Sequence, residues 1–170
     1  TSDDWIRSRT GIVTRRIIDP KKGESTLSLS FHAAEKALNM AKLSGGDLEA
    51  ILVGTITPES VMPTTGNSLQ AKLGSKRAFS FDLQAACSGF LYALSVADLY
   101  IRTGQVKTAL VIGVETLSTV VNWQDRGTCI LFGDAAGAVV LKRNENDSHA
   151  VLGVRLYSDG TKGPQLCIPH

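Results

Sequence analysis

Short apolar runs typical of strands alternate along this chain with longer segments in which apolar residues recur at helical spacing. The run ILVGTI at residues 51–56 is a short strand pattern, whereas residues 26–43 show helical periodicity that stops at Gly45 and Gly46. Strands alternating with helices are the pattern of layered α/β domains. The sequence therefore predicts an α/β fold with a largely parallel sheet flanked by helices.

The remaining elements follow from the same periodicities. A helix is predicted at the start of the chain, where Thr1 or Ser2 can cap it and where Asp3 and Asp4 suit the positive end of the helix dipole. The other predicted helices cover residues 64–73 and 88–103, and the second of these is apolar nearly all round and is expected to be buried. The other predicted strands are 78–83, 109–114, 129–132, 138–141 and 151–157, with a polar turn at 143–148.

Composition narrows the function classes. The 170 residues are 43% hydrophobic, which suffices for one compact domain with a core. The 18 basic and 16 acidic residues form no basic stripe, so nucleic-acid binding is not expected. No apolar run approaches the roughly 20 residues that span a bilayer. The cysteines Cys87, Cys129 and Cys167 are odd in number and widely spaced, which fits neither a disulfide framework nor a zinc site and suits a reducing cytoplasm.

Cys87 lies where a predicted strand turns into the apolar helix of residues 88–103. The carboxyl ends of strands are where open α/β sheets place ligand sites. Free N–H groups and the helix dipole favour a thiolate at this position by about 0.3–1 kcal/mol and at most ~2 kcal/mol, so full activation still needs a base such as histidine. The neighbouring residues are small and leave room for a substrate: Ala85, Ala86, Ser88 and Gly89.

Structural alternatives exist for each of these candidates. From the pattern alone, Cys87 is also interpreted as a buried structural cysteine, which is a common role for this residue type. Cys129 lies in an apolar run typical of a core, and Cys167 has no supporting context. The three histidines, His32, His149 and His170, are interpreted as incidental to any site.

Four stretches, taken together, carry a specific resemblance. In chain order they are Thr1-Ser-Asp-Asp-Trp-Ile-Arg-Ser-Arg-Thr-Gly-Ile, Asp82-Leu-Gln-Ala-Ala-Cys-Ser-Gly-Phe-Leu-Tyr-Ala-Leu, Asp125-Arg-Gly-Thr and Phe132-Gly-Asp-Ala-Ala-Gly-Ala. They resemble the coenzyme A segment, the nucleophile segment, the adenine-side loop and the glycine-rich turn of β-ketoacyl-acyl-carrier-protein synthase III, a family of thiolase-fold condensing enzymes. The resemblance covers essentially the whole chain and implies that Cys87 is the acyl-carrying nucleophile.

The resemblance also implies how acyl-coenzyme A would bind. Trp5 and Arg126 would sandwich the adenine, and Thr1 and Arg9 would contact the nucleotide end. Without the resemblance, Trp5 is an ordinary core or surface-anchor residue and Arg126 a solvated loop charge. The glycine-rich turn at residues 133–137 lacks the spacing of a dinucleotide fingerprint, and we expect it to let the backbone pass close to the active site.

The acyl pocket implied by the resemblance has four residues in this chain. Leu117, Phe132 and Leu166 would line it, although each alone is simply a core residue. Met62 would reach the pocket of a partner chain across a homodimer, at a position where several relatives carry phenylalanine. The flexible methionine would change the shape of that pocket.

We expect residues 1–170 to be an incomplete amino-terminal thiolase-like domain that lacks the family's first strand and its carboxyl-terminal half. A histidine and an asparagine from that half would complete the site, so the fragment alone is expected to be inactive. The dimer would form through the strand of residues 78–83, whose aromatic residues share one face.

The implied activity is that of a cytoplasmic acyltransferase. It would condense a short acyl-CoA, acetyl-CoA in the first instance, with malonyl-acyl-carrier-protein through an acyl-cysteine intermediate and so initiate fatty-acid synthesis. No cofactor or metal is implied, because acyl-CoA is a substrate. Two alternatives remain: a related condensing enzyme of the quinolone, polyketide-starter or hydroxymethylglutaryl-CoA synthase type, and a non-catalytic dimerisation half.

Overall fold

A four-stranded sheet forms the centre of the chain in a computed structural model, which describes residues 1–144 and 150–168. The strand order is β2-β1-β3-β4, with β1 parallel to both β2 and β3 and with β4 antiparallel to β3. The predicted mixed, mostly parallel sheet flanked by helices is therefore confirmed. The strands are β1 (Ala50–Gly54), β2 (Phe79–Leu83), β3 (Thr108–Thr116) and β4 (Asp134–Lys142).

The first four helices lie close to their predicted positions, whereas the fifth was not predicted. The first helix begins at Asp3 because the Ser2 hydroxyl accepts the Trp5 N–H at 3.2 Å, as expected of a cap. The helix bounds are α1 (Asp3–Thr10), α2 (Thr26–Ala41), α3 (Thr65–Lys72), α4 (Gly89–Arg102) and α5 (Arg126–Cys129).

Two cores lie on opposite faces of the sheet. On one face α2 and α3 pack against alternate residues of β1 and β3, among them Ile51, Leu110 and Ile112. On the other face α4 packs against the intervening residues, among them Leu52 and Val111. Because β1 is buried on both faces, its sequence is continuously apolar rather than alternating.

Helix α4 approaches the sheet through small residues. Gly89, Ala93 and Ala97 recur every four positions and are its buried residues. The sheet covers only that face, and in this chain Leu91 and Leu99 on other sides of the helix are 51% and 57% exposed. The expectation that this helix is buried all round is therefore wrong for the chain as described.

Two predictions between residues 129 and 137 differ from the structure. Residues 129–132 were expected to form a strand, but they complete α5 and its following turn, because Asp125 caps this short helix and Cys129 donates to the Asp125 carbonyl. Residues 134–137 were expected to be a turn, but they pair with β3 as part of β4. Only Gly133 makes a close approach, since a Cβ there would lie 3.0 Å from the Arg16 carbonyl oxygen.

The predicted strand at 151–157 is also wrong, because these residues have no regular structure. In the described sheet β4 pairs with β3 alone, and the Arg102 guanidinium donates to the Val151 carbonyl. A strand-forming sequence without a strand neighbour does not form a ladder.

Most of the predicted turn at 143–148 lies outside the described residues, as do His149 and His170. Among the helices that the structure describes, none combines the length and the apolar character needed to cross a membrane.

Candidate functional site

Cys87 lies in a short 3₁₀ turn, Ala86–Ser88, that joins β2 to α4. The preceding residue, Ala86, has a positive φ of 44°, which is strained for a residue with a side chain. The turn leaves the Cys87 thiol exposed at the first turn of α4. This is the strand-to-helix placement that the sequence predicts.

Close packing of two glycines sets the position of this turn. A Cβ on Gly54, the last residue of β1, would lie 2.5 Å from the carbonyl carbon of Gly89, the first residue of α4. In addition, the Thr55 N–H donates to the Leu83 carbonyl at 3.1 Å. The start of α4 is thereby held against the carboxyl ends of β1 and β2, so the thiol stands at that edge of the sheet.

A half-buried carboxylate, Glu115, lies at the same edge near the end of β3. It accepts hydrogen bonds from the Thr57 hydroxyl at 2.6 Å and from the Ile56 N–H at 2.9 Å. Burial raises the pKa of the Glu115 carboxyl, and these hydrogen bonds partly offset the rise. The carboxylate ties the segment that follows β1 to the end of β3.

Buried threonines extend this network behind Glu115. The Thr57 hydroxyl also accepts the Thr116 N–H at 2.8 Å, and the hydroxyls of Thr26 and Thr116 lie 2.8 Å apart. The sequence analysis did not identify this network. The available signal was the single acidic residue at the carboxyl end of the apolar run TALVIGVET, where parallel strands place polar site residues.

Asp134 organises the adjoining end of β4. It is buried, and its carboxylate accepts the N–H groups of Ser118 and Ile18, each at 2.8 Å. Thr116, the last residue of β3, pairs with Asp134, the first residue of β4. The residues that follow Thr116 and those that precede Asp134 therefore lie at the same end of the sheet. The predicted acyl-pocket residues Leu117 and Phe132 are brought to this end, and both are partly buried.

The structure brings Trp5, Arg9 and Arg126 together. The guanidinium carbon of Arg9 lies 4.2 Å from the centre of the Trp5 ring, and that of Arg126 lies 4.5 Å from it. Arg126 is presented by α5, whose cap Asp125 accepts the Gly127 N–H at 2.9 Å and the Thr128 hydroxyl at 2.6 Å. These hydrogen bonds, led by that from Thr128, lower the pKa of Asp125.

The contact between Trp5 and Arg126 is direct. A purine held between two stacked groups needs them roughly 7 Å apart, twice an ordinary carbon–carbon contact of ~3.5 Å. At 4.5 Å the Arg126 guanidinium covers the indole itself. A base could enter between them only after Arg126 has moved away from Trp5.

The other predicted site residues are exposed. Thr1 lies next to the helix cap Ser2 at the surface. Met62 and Leu166 are 86% and 63% exposed, so neither lies in an enclosed pocket of this chain. His32 lies on α2, across the sheet from α4, with its Nδ1 3.5 Å from Glu35.

No three His, Cys, Asp or Glu side chains within residues 1–144 and 150–168 lie close enough together to hold a metal ion. At the carboxyl ends of β1, β2 and β3, the structure gathers the Cys87 thiol, the Glu115 carboxylate, threonine hydroxyls and backbone N–H groups. Such a set can form a covalent thioester and hold it in place.

Comparison with known proteins gives a consistent result. Residues 81–160 match the family described as 3-oxoacyl-[acyl-carrier-protein] synthase III. A β-ketoacyl-[acyl-carrier-protein] synthase III of Clostridium perfringens strain SM101 is 50% identical over 168 residues, which are 99% of this chain and 51% of the relative. The chain thus spans about half the length of the curated relatives it matches.

Solved structures show the same similarity. The 3-oxoacyl-[acyl-carrier-protein] synthase III of Aquifex aeolicus VF5 superposes with a TM-score of 0.90 at 47% identity, covering 95% of this chain and 51% of that one. The priming β-ketosynthase of the R1128 polyketide pathway superposes with a TM-score of 0.81 at 34% identity, covering 85% of this chain and 42% of that one. The predicted thiolase-like layered fold is confirmed.

Proposed function

We propose that this chain belongs to the β-ketoacyl-acyl-carrier-protein synthase III family, members of which it resembles over nearly its whole length, and that it carries the nucleophile of an acyltransferase. The reaction is a decarboxylative Claisen condensation of a short acyl-CoA, acetyl-CoA in the first instance, with malonyl-acyl-carrier-protein. Its product starts fatty-acid synthesis. The observation that supports this most directly is the exposed Cys87 thiol on a strained turn at the start of α4.

The first step transfers the acyl group. The Cys87 thiolate attacks the acyl-CoA carbonyl carbon, a carbon–sulfur bond forms, and the coenzyme A thiolate leaves with the electron pair of the broken bond. Negative charge develops on the carbonyl oxygen during the attack. Backbone N–H groups at the start of α4, including that of Cys87, supply part of the oxyanion hole.

The second step forms the carbon–carbon bond. The malonyl group loses carbon dioxide, and the resulting enolate attacks the acyl carbonyl and expels the Cys87 thiolate. The base and the enolate-stabilising groups are the histidine and asparagine that the family resemblance implies. His32 is excluded from this role by its position on α2, on the opposite face of the sheet from α4.

Coenzyme A binds, in this proposal, at the surface formed by α1 and α5. Trp5 and Arg126 hold the adenine between an indole and a guanidinium, and Thr1 and Arg9 contact the nucleotide end. The support is that the guanidinium carbons of Arg9 and Arg126 both lie within 4.5 Å of the centre of the Trp5 ring. Arg126 swings off the indole as the base enters.

The acyl chain lies against Leu117, Phe132 and Leu166 and against Met62 of a second copy. Leu117 and Phe132 support this because they adjoin the end of the β3–β4 pair. Met62 supports it because the side chain is almost fully exposed and so is available to a partner.

A second candidate function keeps Cys87 as the nucleophile and changes the malonyl substrate. The similarity to a priming β-ketosynthase of a polyketide pathway favours a polyketide-starter enzyme over the other related condensing types. An assay that compares malonyl-acyl-carrier-protein with malonyl-CoA would separate the leading function from these related condensing types. A non-catalytic dimerisation half is the least supported alternative, because Cys87 remains exposed and Trp5, Arg9 and Arg126 remain clustered.

The acylation test uses the full-length protein that contains this chain. After incubation with acetyl-CoA, intact mass spectrometry should show one added acetyl group, and peptide mapping should place it on Cys87. Cys87→Ser should abolish both acylation and condensation with the fold intact, whereas Cys129→Ser and Cys167→Ser should keep them. A label on Cys129 or Cys167 would refute the assignment.

A further inference from the structure

The loop of residues 58–64 presents two apolar side chains to solvent. Val61 and Met62 at its tip are 95% and 86% exposed. Within the loop, the Ser60 hydroxyl donates to the Pro63 carbonyl at 2.8 Å. It begins after β1 and ends at α3, so it projects from the edge of the sheet where Cys87 lies.

One carboxylate holds the segment that enters this loop. Glu115, on β3, accepts the Ile56 N–H and the Thr57 hydroxyl, and its second oxygen lies 3.5 Å from the Thr55 hydroxyl. The chain therefore leaves the sheet in a direction set by a side chain of the neighbouring strand.

A second carboxylate holds the segment that leaves the loop. Asp82, on β2, accepts the N–H groups of Thr65 and Gly66, each at 2.8 Å. The approach is close, because a Cβ on Gly66 would lie 3.2 Å from an Asp82 carboxylate oxygen. The start of α3 is thereby pressed against β2, which has a neighbour on one side only in the described sheet.

We infer that Glu115 and Asp82 are positioning residues that fix the two ends of this loop and so set where Val61 and Met62 meet the acyl chain in the pocket of a second copy. This inference rests on the proposed function. It is supported by the two carboxylates, which act from different strands on opposite ends of one loop. A second copy is the partner that fits, because the loop rejoins the fold beside the open edge of β2.

The test measures selectivity in the full-length protein, as kcat/KM for acetyl-CoA divided by kcat/KM for hexanoyl-CoA. Glu115→Ala and Asp82→Ala should each lower this ratio by about tenfold, the lower end of what one methylene group in a pocket is worth. Glu115→Gln and Asp82→Asn, which keep one acceptor oxygen, should give intermediate ratios. A general loss of stability would lower both rates together and leave the ratio unchanged.

A double-mutant cycle separates positioning from other effects. In a protein that already carries Val61→Ala and Met62→Ala, Glu115→Ala should change the ratio no further, because the carboxylate acts through those side chains. Glu49→Gln is the matched control. Glu49 also accepts a backbone N–H, that of Lys107, but at the opposite end of the sheet, so its loss should leave the ratio unchanged.

Hydrogen exchange gives a second readout where an alanine variant folds poorly. Glu115→Gln and Asp82→Asn should speed exchange at residues 58–64 relative to β1 and β3. Unchanged selectivity in all four carboxylate variants, with a shifted ratio in Met62→Ala, would overturn the inference and leave the proposed function intact. Absence of acylation in the unsubstituted protein would overturn both.

Discussion

Ala86 shows how a single backbone conformation exposes the candidate nucleophile. Its φ of 44° turns the chain sharply between β2 and α4, and such a conformation costs of order 1–3 kcal/mol in a residue other than glycine. The surrounding packing holds it, since α4 begins in contact with β1 through Gly89 and Gly54. The result is an exposed thiol next to the N–H groups at the start of a helix.

The interpretation of Trp5 and Arg126 likewise depends on their being in contact with each other. Each has an ordinary structural interpretation in isolation, and only their contact at 4.5 Å indicates a common site. The contact also means that binding of a base has to break an existing cation–π interaction, worth about 0.5–1 kcal/mol at an exposed site.

Substitution at this pair should weaken coenzyme A binding. Trp5→Ala and Arg126→Ala should each cost about 1–3 kcal/mol, by analogy with base–aromatic stacking, as measured by calorimetry on the full-length protein. The matched control is Trp123→Ala, the second tryptophan of the chain, which is exposed and whose indole N–H donates to the Ser118 carbonyl. Unchanged affinity in both Trp5→Ala and Arg126→Ala would show that the adenine binds elsewhere.

At the scale of the elements, the glycines beneath helix α4 determine how closely the start of that helix, next to Cys87, approaches the sheet. Gly54, Gly113 and Gly137 are paired across β1, β3 and β4 and form one row. Gly54 faces Gly89, and a Cβ on Gly113 would lie 3.0 Å from the Cβ of Phe90. The missing side chains let the helix start lie directly on the sheet.

A methyl group at the first of these positions should therefore displace the helix. Gly54→Ala places a Cβ 2.5 Å from the Gly89 carbonyl carbon and should destabilise the protein by about 1–3 kcal/mol, as overpacking of a core does. It should also slow acylation of Cys87. The measurements are urea unfolding and the acylation rate.

Gly137→Ala is the control for this substitution, because a Cβ there meets nothing within 4 Å. It should change the free energy of unfolding by no more than about 0.5 kcal/mol. Equal effects of the two substitutions would show that the close approach of β1 and α4 does not govern stability.

At the scale of the whole molecule, β2 is the element that points to assembly. Phe81 and Leu83 pack into the core beneath α4, and the Phe79 ring lies 5.0 Å from that of Tyr100 on α4 and 6.2 Å from that of Phe81. The Phe79 N–H donates to the backbone carbonyl of Glu49, the residue before β1, so the alternate residues Ser80 and Asp82 direct their backbone groups away from β1. We propose that this free edge pairs with its copy across a twofold axis.

Proline at Ser80 tests this pairing. Ser80→Pro removes a donor that faces away from β1, and an edge strand tolerates proline at such a position, so the fold should persist while the dimer weakens. Sedimentation equilibrium of the full-length protein should show more monomer, and activity should fall in parallel.

The control for that proline is Ser80→Ala, which removes the hydroxyl that accepts from Asn67 at 2.7 Å and keeps the backbone N–H. It should remain dimeric and active. A Ser80→Pro protein with the dimer affinity of the unsubstituted protein would contradict the proposed interface.

The sequence by itself determined the elements whose signals are local. Periodicity placed β1, β2 and β3 and helices α1 to α4 within a few residues, and the strand-to-helix turn placed Cys87. Periodicity gave wrong strands at two places. Residues 129–132 are strand-like in composition but follow a capped helical turn, and residues 151–157 are strand-like but have no neighbouring strand to pair with. Local composition does not specify whether a neighbouring strand is present.

Only the tertiary structure decided which distant groups meet. Glu115 and Ile56 are 59 residues apart in the chain, and Asp82 and Thr65 are 17 apart, yet each pair is hydrogen-bonded. The same holds for Arg126 on Trp5 and for Gly54 against Gly89. Such contacts depend on strand order and on the distance between helix and sheet, which follow from how the layers pack and leave no periodic signal in the sequence.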